Sequence, residues 1–158
     1  MAYPDVKVEI KGLKEVNAAL KAYGKDLGRG LELALNRTAL VALTDVRNAI
    51  ENPPKTGRIY TKGRNKSIKH QASKEGEAPA TDTGVLLTST YLENRGKYGR
   101  AIGSRLPYAY YLEFGTRDGK LGKRPAWVPA VQRAMPRLLE LVQIAIAKAK
   151  ARAEKTTK

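Results

Sequence analysis

The sequence predicts an α+β fold: a small antiparallel sheet packed by an N-terminal helix pair and a C-terminal helix, with a long basic loop. Apolar residues recur at helical spacing towards both ends of the chain. Between them lies a segment rich in β-branched and aromatic residues, split by Gly96 and Gly99. From residue 52 to 84 the composition shifts to Pro, Gly, Ser, Thr and Lys. At 158 residues the chain has room for one domain with a real core. We assign residues 1–147 to it and read 148–158 as a basic C-terminal tail that frays into solvent.

Val6, Val8 and Ile10 alternate with Lys7, Glu9 and Lys11, the period-2 pattern of a strand with one buried face, and Gly12 ends it. Leu13, Val16, Leu20 and Tyr23 follow at helical spacing, which predicts a short helix closing near Gly24. The glycine-rich run Gly24 to Gly30 lacks phosphate-loop spacing and reads as an interhelical turn. A second helix carries an apolar stripe from Leu27 through Leu31, Leu35, Val41, Val46 and Ala49. Asn52-Pro53-Pro54 stops it, because proline lacks an amide donor and pushes the preceding residue out of helical geometry.

Residues 52–84 read as a long flexible loop. Between Asn52 and Lys74 stand seven Lys or Arg and no acid. Lys55, Arg58, Lys62, Arg64, Lys66 and Lys69 are candidates for contact with a polyanion or an acidic partner, against the plain alternative of a solvated loop. Gly84 to Glu93 and Arg100 to Ser104 suggest a hairpin of two antiparallel strands. Tyr108 to Phe114 fits a strand or a short helix, since seven residues are too few for periodicity to decide. Val131, Met135, Leu138, Val142, Ile146 and Ala149 mark the C-terminal helix, with Pro136 in its first turn or kinking it.

The chemistry is bounded by what the chain lacks. With no Cys, disulfides, thiolate metal sites and Cys nucleophiles are excluded, and one histidine, His70, cannot form a histidine metal cluster within one chain. A catalytic triad would have to use His70 inside the Lys-rich loop, where little would orient it. Asp82, Glu93, Glu113 and Asp118 form no paired motif for metal-dependent hydrolysis. Glu113, in an apolar aromatic run, has two readings: acid–base chemistry through a raised pKa, or pairing with a loop arginine such as Arg124. We expect no enzyme activity and no cofactor. The N-terminus lacks a signal peptide, and the apolar stretch from Leu138 to Ala147 is too short for the roughly 20 residues that cross a bilayer. A cytoplasmic protein, or one built into a particle assembled there, is expected, with no membrane partner.

Residues 107–130 concentrate the one Phe, the one Trp and three of the eight Tyr beside Arg117, Lys120, Lys123 and Arg124. Rings beside cations suit a contact surface. Tyr110, Tyr111, Phe114 and Trp127 are therefore interface candidates, divided between core and subunit contact, with Glu113 and Arg124 beside them. The formal charge of +15 adds a field that favours polyanions or acidic proteins.

Three segments occur in one order: Gly76-Glu-Ala-Pro-Ala80 leading into Thr83-Gly84-Val-Leu; Tyr108-Ala-Tyr-Tyr-Leu-Glu113-Phe-Gly-Thr116; and Arg124-Pro-Ala-Trp-Val-Pro-Ala130. Together they resemble the tail-component family of long-tailed bacteriophages, the neck or tail-completion proteins of the head–tail joining region. Trp127 stands where the family more often has Phe, and Leu87 where it often has a basic residue. The resemblance implies a structural virion subunit, assembled in the host cytoplasm, that forms a ring homo-oligomer, with sixfold symmetry expected. Its implied partners are the head-closure protein and the tail terminator or tail tube proteins, with transient contact to packaged DNA. A tail terminator ring, or a basic nucleic-acid-binding protein, are the alternatives. No catalytic residues carry over.

Overall fold

The computed structural model describes residues 13–52, 55–63 and 68–156. In chain order they form α1 (Leu13–Glu51), β1 (Ile59–Lys62), β2 (Ile68–Gln71), α2 (Val85–Thr88), β3 (Thr90–Asn94), β4 (Arg100–Ser104), α3 (Tyr108–Phe114) and α4 (Trp127–Thr156). The class is α+β, with β1–β2 and β3–β4 as separate antiparallel ribbons. The strand expected around Val6 to Ile10 lies outside the described residues.

Instead of a helix pair, the N-terminal region is one continuous helix of 39 residues, about 58 Å long. The glycines read as a turn are helical, and Gly30 among them serves packing against α4. A Cβ placed on Gly30 would meet the Ala145 Cβ at 2.7 Å, so at Gly30 α1 and α4 touch closely. The two helices run antiparallel: Asp26 pairs with Arg152 at 3.3 Å, and Asp45 with Arg133 at 2.7 Å. Between those pairs the seam is built from small side chains. Ala34, Ala42, Ala134, Ala145 and Ala149 are all buried, and Ala130 is buried just beyond Arg133. Small residues on facing stripes let backbones approach closely, and dispersion contacts then accumulate along the helices.

Towards the C-terminal end of α1 the seam widens into the core, where Val46 and Ile50 pack with Leu86, Ala109, Ala126, Trp127 and Ala130. The β3–β4 ribbon pairs Thr90 with Ser104 and Asn94 with Arg100, as the sequence predicts for this hairpin. It is tied to α1 at both ends. Arg47 donates to the Thr90 hydroxyl (2.9 Å) and carbonyl (3.2 Å), and Arg100 donates to Asn36. Residues 85–88, expected as the beginning of a strand, form the short helix α2 that leads into β3.

The C-terminal helix begins earlier than the apolar pattern suggests. Trp127 opens α4, and Pro129 falls in its first turn, where a missing amide costs no helical hydrogen bond. Pro136 lies inside the helix, beyond the first turn. The segment expected to fray is helical to Thr156, with Ala149 buried against the seam.

The seam yields a matched pair of outcomes. Gly24 has open space where a Cβ would go, so Gly24→Ala should stabilise the chain by about 1 kcal/mol through helix propensity. Gly30→Ala gains the same propensity but forces α1 from α4 and should be net destabilising. Urea unfolding of the two variants, compared with the parent chain, checks the opposite signs.

Candidate functional site

Chain polarity and helical spacing divide α3 into two faces. Pro107 precedes its first residue, and Gly115, at φ 79°, ends it. Ala109 and Glu113 are buried, with Leu112 half-buried on the same side. Tyr108, Tyr110, Tyr111 and Phe114 point outwards, and Tyr110 retains 63% of its accessible surface. The outer rings form a cluster. Tyr110 meets Tyr111 edge-on at 5.7 Å between centroids, and Phe114, one turn on, lies 5.0 Å from Tyr110.

Glu113 holds this helix against α4. Its carboxylate accepts from the backbone N–H groups of Ala126 (2.7 Å), Trp127 (3.1 Å) and Val128 (2.8 Å). These are among the amides that the start of a helix leaves without intrahelical acceptors, and a negative charge there also complements the helix dipole. Both carboxylate oxygens are engaged. Arg124, the expected partner, turns elsewhere and donates to the carbonyls of Ser73 (3.2 Å) and Gly122 (3.0 Å). The pairing of Glu113 with Arg124 is thus replaced by a helix cap, because the start of α4 supplies three amide donors where the sequence suggested one guanidinium.

The interface candidates separate by burial. Tyr110, Tyr111 and Phe114 are exposed, whereas Trp127 is only 9% exposed and belongs to the core. Its indole N–H has no hydrogen-bond partner among the described residues. Alongside runs a groove of about 470 Å³ lined by Ile102, Leu106, Tyr110, Phe114, Trp127 and Val128, so the exposed rings continue into an apolar trough.

The carboxylates considered for metal chemistry do not converge. Asp82 pairs with Lys62, Glu93 with Arg95, and Asp118 with Lys120. Among the described residues no group of three or more His, Cys, Asp or Glu comes together as metal ligands. The Asp118 carboxyl is held below its ordinary range, chiefly by the Thr116 hydroxyl and then by the Lys120 amide.

Part of the stretch read as a loop is the β1–β2 ribbon, exposed at every position of β1. Periodicity missed it because neither face is packed into the core. Its cations have different roles. Lys55 is half-buried and donates to the carbonyls of Ala49 (3.3 Å), Ala78 (3.0 Å) and Pro79 (3.0 Å). Burial lowers its pKa, with the charge of Glu77 acting the other way. Arg58 stacks over Tyr60, 5.4 Å from the ring centre, and Lys69 is exposed. Arg64 and Lys66 lie outside the described residues.

At the ribbon's base, Glu77 accepts from the Thr56 hydroxyl and amide and from the Lys74 amide. These bonds, the Thr56 hydroxyl first, draw its pKa down to about 2. Above the ribbon, Lys62 and His70 both face Asp82, the His70 Nδ1 at 3.7 Å. A pocket of about 330 Å³ opens between ribbon and body, lined by His70, Asp82, Tyr108 and Arg124 among others.

No helix among the described residues is long and apolar enough to cross a membrane. Compared with protein-family models, curated proteins and solved structures, the chain finds no match.

Replacing Glu113 by Ala leaves three amides at the start of α4 without their acceptor and should cost about 1–3 kcal/mol in urea unfolding. Glu77 has the sign of a carboxylate depressed by folding. Its stabilisation is present above the ordinary value of 4.5 and is lost as pH falls towards about 2. The urea midpoint of the parent chain should therefore fall further across that acid range than that of Glu77→Gln, narrowing the gap between them.

Proposed function

We propose that the chain is a structural subunit of a tailed-phage virion, forming a ring in the neck or tail end that joins capsid to tail, in the tail-completion role. The observation that carries this reading is the outward ring cluster of Tyr110, Tyr111 and Phe114, standing within the second of the three ordered segments that resemble the tail-component family. A short helix that spends its inner face on a cap and its outer face on four large rings suits contact with another protein surface.

Two further observations support it. The described residues leave many large apolar side chains in water. Leu33 and Leu40 of α1 and Leu139 and Ile144 of α4 each keep more than 40% of their surface. Exposed apolar area on this scale marks surfaces meant to be covered. A closed ring built head to tail needs two different faces on each subunit. The rings of α3 and the apolar side chains of the helix pair supply two such faces.

In this reading the first partner is a second copy of the chain, in a ring whose expected number is six. The ring is placed in the virion, between the head-closure protein and the tail terminator or tube, and is assembled in the host cytoplasm. The tail-terminator alternative uses the same kind of ring and differs in its neighbours.

The double variant Tyr110→Ala/Phe114→Ala should remain a folded monomer, losing no more than about 1 kcal/mol of stability, and should fail to form rings in electron micrographs and sedimentation velocity. Trp127→Ala should instead destabilise the fold by about 3–5 kcal/mol. Rings that survive the double variant would rule out this surface as the subunit contact.

A further inference from the structure

We infer that the β1–β2 ribbon is a seat for duplex nucleic acid, contacted through phosphates by Arg58, Lys62 and Lys69. The inference stands apart from ring formation and rests on three properties of the ribbon.

The first is exposure. All four residues of β1 are exposed, Ile59 and Tyr60 included. Isolated two-stranded hairpins are marginally stable in water, so an uncovered ribbon gains order from whatever covers it. Its ties to the body are polar and gather at its base, where Glu77, Lys55 and the Arg124 donation to Ser73 hold it, with Lys62 and His70 approaching Asp82 further out.

The second is the distribution of charge between its faces. Cross-strand partners share a face, and the register pairs Tyr60 with His70 and Thr61 with Lys69. Lys62 follows Tyr60 by two residues and Arg58 stacks on the same ring, so one face carries Arg58, Tyr60 and Lys62. The opposite face carries Lys69 beside Thr61. A flat acidic protein would be met by one face. The first face turns Lys62 and His70 towards Asp82 on the body, but Arg58 on that face and Lys69 on the other remain exposed. Exposed cations on both faces of a thin ribbon suit a groove with a negatively charged wall on each side.

The third is shape. The major groove of duplex DNA, about 12 Å wide, admits a two-stranded ribbon. With no acid between Asn52 and Lys74, the ribbon itself contributes no repulsion. Asp82, on the body, is the carboxylate that faces Lys62, and phosphate would compete with it for that ammonium.

The test uses the full chain and a fluorescent duplex of about two helical turns, with anisotropy followed across a salt series. The parent should bind, with log affinity falling linearly in log salt. The triple variant Arg58→Ala/Lys62→Ala/Lys69→Ala should bind about tenfold more weakly and lower the salt slope by about 2 to 3, the loss of three phosphate contacts. Lys148→Ala/Lys150→Ala/Lys155→Ala removes equal charge from α4 and should change affinity by about twofold or less. The charge-keeping triple Arg58→Lys/Lys62→Arg/Lys69→Arg should retain binding.

Equal losses in the two alanine triples would overturn the inference in favour of a diffuse basic field. So would loss in the charge-keeping triple, or a parent chain that ignores the duplex, whether or not it binds poly-glutamate as an acidic protein surrogate. Sedimentation velocity on the same variants reads ring assembly separately, so either proposal can fail without the other.

Discussion

The contact between the Glu113 carboxylate and the first amides of α4 determines how the rest of this molecule is presented. It joins a seven-residue helix, too short to be stable alone, to the 30-residue helix that spans the body. Three charge-assisted hydrogen bonds run from consecutive amides at the start of α4 to one carboxylate on α3. The geometry leaves α3 little freedom to roll or slide. Since the buried residues Ala109 and Glu113 lie on one side, fixing them also fixes where the four outer rings point. An exposed surface of large aromatic side chains is thereby pre-organised, which lowers the ordering cost when another surface covers it.

The helix seam performs a complementary task. Its buried side chains are mostly small, and larger apolar side chains such as Leu33 and Ile144 stay outside. A monomer would gain more by burying those leucines and isoleucines than by burying methyl groups. The arrangement fits the proposed ring, in which the long helices would be covered by neighbouring copies. Polar pairs at Asp26–Arg152 and Asp45–Arg133 bracket the smooth seam. As exposed pairs they contribute little energy, and their value lies in register.

How much of this was legible in sequence depended on burial. The stripe from Leu27 to Ala49 and the hairpin of β3 and β4 leave periodic traces because one face of each is packed. The glycines at 24, 28 and 30 misled, since glycine punctuates turns and also permits close helix contact, and only the position of Ala145 tells these uses apart. The β1–β2 ribbon has no packed face and so left no apolar pattern. Glu113 was singled out for its apolar surroundings, but its acceptor role needed the start of α4, which lies 13 residues further on. Trp127 and Phe114 looked alike as rings in one segment. Their opposite burial follows from the placement of one at the capped start of α4 and the other on the outer side of α3.

The interleaving of faces along α3 sets the kind of change this segment can absorb. Outer and inner positions alternate within two turns, so single replacements at the exposed Tyr110 or Phe114 change the outer surface and leave the fold alone. A one-residue deletion or insertion acts quite differently, turning everything beyond it by about 100° around the helix axis. Glu113 would then swing away from the amides of α4, and a large ring would be driven towards the alanine-lined interior. Over evolutionary time the segment can vary its letters freely on one side, but its length is locked, and partner specificity can drift only by substitution.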